Sequence, residues 1–187
     1  MPKLKRTVVW RSLFWPGAEF CQVKSLNSGW LLHGTVLAVY HRQPMRLEYR
    51  VKCNSVWQTR SVEVRQWLGD QERKLVWRID SQRRWWQGSR QLRGLRGCED
   101  VDLQFSPITN TLPIRRLQLE IGQSAQVRAA WVRLPHLKMT ILHQCYTRIT
   151  RSRYLYQSAT GFSAELMLDN FGLVKTYPKL WERVSAV

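Results

Sequence analysis

The sequence lacks long apolar runs, paired cysteines and the usual catalytic signatures, and each absence narrows what the chain can be. No stretch approaches the roughly 18 uncharged apolar residues that span a bilayer; the best run, Trp30 to Tyr40, is shorter and contains His33. No transmembrane segment is expected. The basic start Met1-Pro-Lys-Leu-Lys-Arg-Thr7 is followed only by Val8-Val9-Trp10 before Arg11 and Pro16 intervene. A signal peptide needs about 7–15 apolar residues there, so a cytoplasmic location is expected. The four cysteines, Cys21, Cys53, Cys98 and Cys145, contain no Cys-x-x-Cys pair, and no histidine stands at metal-ligand spacing from them. Reduced, mostly buried thiols are expected, with no metal and no cofactor. Gly-x-Ser-x-Gly, a phosphate loop, a dinucleotide fingerprint and His-Glu-x-x-His are all missing.

Acid and lysine are also scarce. Thirteen Asp and Glu face 30 Lys and Arg, a formal net charge of +17, and only eight of the cations are lysines. Arginine suits bidentate contact with phosphate or carboxylate and stacking on aromatic rings. The excess is concentrated before residue 98, at +13 against +4 for the rest. Such a surface attracts anions, whether nucleic acid, anionic lipid headgroups or acidic partners. Hydrophobic residues at 44% and charged residues at 23% of 187 are ordinary globular values, which excludes a disordered or fibrous chain and predicts one domain, 1–187.

Period two dominates what is present. Leu47, Tyr49, Val51 and Cys53 alternate with Arg46, Glu48, Arg50 and Lys52. The segments 114–121, 137–149 and 162–169 repeat the pattern, which is that of half-buried antiparallel strands. In 137–149 the apolar set Leu137, Met139, Ile141, His143 and Cys145 is expected inside, with His143 a core histidine. Thirteen candidate strands follow at close spacing, several joined by hairpin signals such as Asn27-Ser-Gly29, Gly69-Asp70 and Asp169-Asn-Phe-Gly172. Short helical segments are expected only near 92–96 and over 178–184, where Pro178 can start a helix. The expected fold is all-β, mainly antiparallel: a single highly curved sheet of about 10–13 strands forming a half-barrel or spiral roll, with at most one or two short helices.

Two stretches stand apart. Ser81 to Gly97 carries five arginines, two tryptophans and no acid. It reads as a basic, aromatic grip on nucleic acid or an anionic surface through residues 83–96, or as a solvated loop with Trp85 or Trp86 in the core. Cys98 to Leu117 is rich in residues that bond local backbone, Ser106, Thr109 and Asn110 among them. Pro113 is expected to open a strand that points Arg115 and Arg116 to opposite faces of the sheet. The inward one then needs Asp100 or Asp102 as its acid, unless it anchors a ligand.

The segments Cys98-Glu-Asp-Val-Asp102, Ser106-Pro-Ile-Thr-Asn-Thr-Leu-Pro-Ile-Arg-Arg116, Trp131-Val-Arg-Leu-Pro135, Gln144-Cys-Tyr146, Tyr154-Leu-Tyr156 and Gly172-Leu-Val-Lys-Thr-Tyr-Pro178 resemble a bacterial glycolipid-binding family of uncharacterised proteins. The sequence departs from that family's pattern at Asn54, where Asp is usual, and at Ser106, where Thr is usual. The resemblance implies a spiral roll like that of the lipoprotein carriers, holding a lipid or glycolipid without catalysis. Acyl chains would lie on Trp131, Phe162 and Leu166. Arg60, Asp102, Thr109, Asn110, Arg115, Arg116, Gln144, Tyr146, Tyr154, Tyr156 and Tyr177 are the further candidate ligand-binding residues. A nucleic-acid module built on the basic half, or an enzyme centred on Asp102, Asn110 and Arg116, are the alternatives.

Overall fold

The computed structural model describes residues 2–186; Met1 and Val187, the ends of the expected domain, lie outside the described residues. The first half forms β1 (Lys3–Ser12), β2 (Gly17–Leu26), β3 (Gly29–Tyr40), β4 (Gln43–Asn54), β5 (Thr59–Leu68), β6 (Gln71–Ile79), β7 (Trp85–Gln87) and β8 (Arg90–Gln91). The second half adds β9 (Asp100–Leu103), β10 (Ser124–Arg133), β11 (Lys138–Arg148), β12 (Arg153–Ser158), β13 (Ser163–Leu168), β14 (Val174–Tyr177) and β15 (Trp181–Ala186). All belong to one open sheet, ordered β8 to β1, then β15 down to β9. Two antiparallel meanders are thus joined where β1 pairs with β15, and β9 pairs with β10 in parallel.

The alternation that predicts the strands is the alternation that buries them. On β4, Leu47, Tyr49, Val51 and Cys53 are buried while Arg46, Arg50 and Lys52 are exposed. A sheet this wide must curl to cover its apolar face, and here it curls around its own chain. Phe105, Ile108 and Leu112 are fully buried, and every residue from Phe105 to Ile114 is buried. This plug is a 3-10 turn, Pro107–Asn110, running directly into helix α1 (Thr111–Leu117).

Three expectations change. Residues 113–121 are not a strand: Ser106 caps the 3-10 turn by accepting from Ile108 N (3.2 Å), with Pro107 in the first position and Pro113 still within the first turn of α1. Residues 178–184 are not a helix, because Lys179 takes a left-handed conformation (φ 66°) that returns the chain as β15 against β14 and β1. On β11 the inward set is Leu142, Gln144 and Tyr146, and His143 is exposed. The polar inward residues are hydrogen-bonded within the core. The apolar outward pair, Met139 and Ile141, borders a cleft shared with residues 90–95, whose 3-10 turn Arg93–Leu95 contacts β11. The end of the first meander therefore overlaps the second, which makes the roll a spiral.

Glu19 on β2 ties the plug to the first half of the sheet. It is fully buried, and its Oε1 accepts from Tyr49 Oη and from Ser106 Oγ (2.7 Å), while Oε2 has no partner among the described residues. Gly34 makes room for the Tyr49 hydroxyl, which lies 2.5 Å from where a Cβ would stand. Burial raises the Glu19 carboxyl from its ordinary 4.5 to about 8, against the pull of those two hydrogen bonds. A raised folded-state value favours folding fully below 4.5, and that stability is lost as pH rises through about 8. Urea denaturation of Glu19→Gln across this window should therefore show a midpoint that falls less steeply than the wild-type midpoint, the remaining slope coming from other raised carboxyls such as Asp102. Parallel pH profiles of the two proteins would contradict the assignment.

Candidate ligand-binding site

The plug does not fill the whole concave face. Beside it a cavity of about 130 Å³ remains, lined by residues of β9, β10, the β12–β13 hairpin and the β14–β15 turn. Its polar floor comes from β9 and its neighbours. Asp102, directly opposite Trp131 in the parallel pair, lies half-buried. Gln144 Nε2 donates to Asp102 Oδ2 and to Tyr156 Oη (3.1 Å). Asp102 Oδ1 accepts no hydrogen bond among the described residues, and the Tyr156 hydroxyl has Ser158 beside it as a second polar partner. Tyr146 Oη donates to Asn110 Oδ1 (2.9 Å), and Asn110 Nδ2 donates to Pro107 O (3.1 Å), which fixes the plug against β11.

The walls are aromatic. Tyr177 stands 6.0 Å from Tyr156 and 5.9 Å from Phe162, and the rings of Trp131 and Trp181 also line the cavity. Burial among these rings raises the Asp102 carboxyl to about 6, opposed by the Gln144 hydrogen bond. The same surroundings push the Tyr156 and Tyr177 hydroxyls up, so both remain protonated donors at neutral pH. A carboxylate, an amide and a hydroxyl on the floor of a ring-lined cavity can recognise a ligand that offers hydroxyls on one edge and an apolar face on the other.

The candidate residues singled out from sequence separate into groups. Asp102, Asn110, Trp131, Tyr156 and Tyr177 line this cavity, with Gln144 and Tyr146 bonded to its floor. Arg115 and Tyr154 line a separate cavity of about 390 Å³. Thr109 is buried and accepts from Leu103 N (3.1 Å), a structural bond within the plug. Arg60 is exposed and lines neither cavity. Arg116 turns away to a bidentate pair with Asp100 (Nη2–Oδ2 2.6 Å, Nε–Oδ1 3.2 Å) and to Glu99 (2.9 Å), so Asp102, Asn110 and Arg116 form no common cluster. Leu166, expected to carry an acyl chain, is fully buried in the core. Leu180, Trp181 and Thr160 join the lining without any motif to announce them.

Part of the basic stretch is committed as well, while Arg90, Arg93 and Arg96 stay exposed. Trp85 is fully buried and donates to Cys98 O (3.0 Å); Trp86 and Arg84 both bond Asp80, and Arg83 pairs with Glu99. The four cysteines are unpaired, three of them buried, and burial raises the Cys98 thiol to about 11. No helix among the described residues is long and apolar enough to cross a membrane.

A sequence-family model described as "Putative glycolipid-binding" matches residues 7–183. The chain belongs to that family. A DUF1089-family protein from Pseudomonas aeruginosa, solved by crystallography, superposes with a TM-score of 0.81 at 33% identity, covering 89% of this chain and 92% of the other. No protein of curated function matches the chain.

The family segment 98–117 thus supplies a buried ion pair as well as the cavity floor. Asp100 is 1% and Arg116 15% exposed in their side chains. Desolvation raises the Asp100 carboxyl, and the Arg116 guanidinium opposes the rise. Arg116→Met leaves a buried carboxyl alone, which should cost about 3 kcal/mol of stability near neutral pH. The deficit should shrink as acid protonates Asp100, since the variant's folded-state value lies further above the unfolded one. Denaturant melts of both proteins across that range check the magnitude and its direction with pH.

Proposed function

We propose that the protein holds the sugar headgroup of an amphipathic, glycolipid-like ligand in the aromatic cavity, without chemical turnover. The observation that carries this reading is the free Oδ1 of Asp102, set beside the Tyr156 hydroxyl on the floor of a cavity lined by Tyr177, Phe162 and Trp131. A pyranose fits that division, with its hydroxyl edge on the floor and its C–H face against the rings. Size decides what enters. About 130 Å³ is close to the engineered cavity of about 150 Å³ that takes a benzene ring and well below the roughly 300–1,000 Å³ of drug-sized pockets. One ring is admitted, and an acyl chain is left outside.

The rim offers that chain a resting place. Leu13 N bonds Leu180 O (2.8 Å) beside the cavity, and the same loop exposes Leu13 and Phe14, the latter to 70%. Leu37 and Val39 are also exposed, and Val39 N bonds Pro16 O (2.9 Å), which extends the apolar surface. Exposed apolar surface next to a polar pocket marks a binding site for an amphipath. Asp102 is the one carboxyl in the lining, without histidine, cysteine or lysine beside it, which favours binding over acid–base catalysis.

Octyl β-glucoside below its micellar concentration, followed by tryptophan fluorescence, tests the reading. It should bind more tightly than methyl β-glucoside, since each methylene that finds apolar cover adds about 0.8 kcal/mol. Phe14→Ser should reduce that difference and leave methyl glucoside unchanged. Asp102→Asn should weaken both sugars about tenfold, as the loss of a charge-assisted hydrogen bond predicts. In the wild type both should bind more tightly as pH rises through about 6, where Asp102 ionises. No saturable binding of either glucoside would remove the reading.

A further inference from the structure

The 390 Å³ cavity lies beyond the opposite end of β12, past Tyr154, whereas the aromatic cavity lies near Ser158. It is lined by Arg115, Arg148 and Arg151, and each plays a different part. Arg115 projects from α1 with its Cδ 3.3 Å from where a Cβ on Gly172 would stand. Its guanidinium lies 5.2 Å from the Trp57 ring centre and 5.0 Å from that of Phe171, and Trp57 is itself stacked on Trp30 at 4.5 Å. Aromatic faces hold this cation in place, yet among the described residues it pairs with no acid and donates no hydrogen bond. Its Nε is buried without a partner. Unpaired buried donors are costly and rare in native structures, and this one stands at the wall of a cavity.

Arg148 is fixed differently. Its Nε, Nη1 and Nη2 donate to the carbonyls of Thr150 (3.2 Å), Leu119 (2.7 Å) and Arg151 (3.3 Å), which orient the guanidinium without neutralising it. Arg151 is exposed at the mouth. The one acid in the lining is already used: Asp169 Oδ1 accepts from Phe171 N and Leu173 N (both 2.9 Å), and Oδ2 accepts from Arg183 (2.6 Å). Three guanidinium charges therefore converge on a space whose only carboxylate answers to a fourth.

We propose that this cavity is a second binding site, for a phosphate-bearing group, with Arg115, Arg148 and Arg151 as its cationic wall. A doubly charged oxyanion with several acceptor oxygens answers three forked donors better than a neutral sugar or a single carboxylate. The volume exceeds a bare phosphate and leaves room for the group that carries it, alongside Tyr154 and Phe171. The site depends on different residues from the sugar cavity, so either can fail alone.

Calorimetric titration with inorganic phosphate, against chloride at matched ionic strength, tests it. Saturable binding with one site and a Kd of about 1 mM or tighter is expected. Arg151→Glu, at an exposed position that keeps the fold, should weaken binding at least about tenfold. Arg90→Glu, an equal charge change outside the cavity, should leave it unaltered. Arg115→Gln should also abolish binding, with circular dichroism confirming the fold. Phosphatidylcholine vesicles with and without phosphatidic acid separate the sources. Phosphate binding together with phosphatidic-acid-dependent association that Arg151→Glu removes assigns a lipid headgroup. Phosphate binding without vesicle association assigns a soluble phosphorylated compound. Absence of saturable phosphate binding, or equal weakening by Arg90→Glu and Arg151→Glu, overturns the site.

Discussion

A sheet of fifteen strands that does not close must cover its concave face with something, and here it uses its own chain. Seating the plug, with the β9 strand that leads into it, inside the roll places backbone and polar side chains where water cannot serve them, so most of them find partners in the surrounding strands. Ser106 reaches Glu19 on β2, Val101 N reaches Thr59 on β5 (3.3 Å), Asn110 meets Tyr146 on β11, and Thr111 Oγ1 donates to Gly172 O (3.3 Å). A hydrogen bond contributes about 1 kcal/mol when made, but a buried partner left alone costs about 1–3 kcal/mol. These bonds therefore act less as a sum of stability than as a register that leaves the plug one seat. Both halves of the sheet contribute partners, so the plug also fixes the halves to each other.

Both cavities follow from that seat. The plug covers the middle of the concave face and stops short of its two ends along β12. At one end it leaves Asp102 beside aromatic rings; at the other it leaves Arg115 on Trp57 and Phe171. The two arginines at the end of α1 show how neighbours diverge. Arg116 has Asp100 and Glu99 and serves the fold, whereas Arg115 has aromatic faces and no acid. The exposed loop around Phe14 belongs to the same arrangement, because β1 and β15 meet beside the aromatic cavity and bring Leu13 to Leu180.

Much of this was legible in the residues. The strands show because the outer face of a curved sheet is solvated: Arg46, Arg50 and Lys52 mark it as clearly as Leu47, Tyr49 and Val51 mark the inside. The plug escaped for the complementary reason. A segment buried on all sides carries no amphipathic period, and Leu117, Leu119 and Ile121 imitate a strand. Ser106-Pro107 was the usable signal, a cap followed by the proline that opens a helical turn. The faces of β11 were inverted because Gln144 and Tyr146 are polar by composition but satisfied inside, while Met139 and Ile141 meet a distant part of the chain. At the site, family-like segments pointed to Asp102, Gln144, Tyr156 and Tyr177. Nothing in the local sequence points to Leu180, Trp181 or the Phe14 loop, which the β1–β15 pairing assembles from opposite ends of the chain.

What occupies the space beside the plug decides the function. A crystal structure of the protein with octyl β-glucoside tests it most directly. The account predicts one sugar ring in the aromatic cavity, with a hydroxyl on Asp102 Oδ1, the ring face against Tyr177 or Phe162, and the alkyl chain running out toward Phe14. A glucoside bound elsewhere, or a cavity closed by rotation of Tyr156 or Trp131 with no sugar inside, would contradict it.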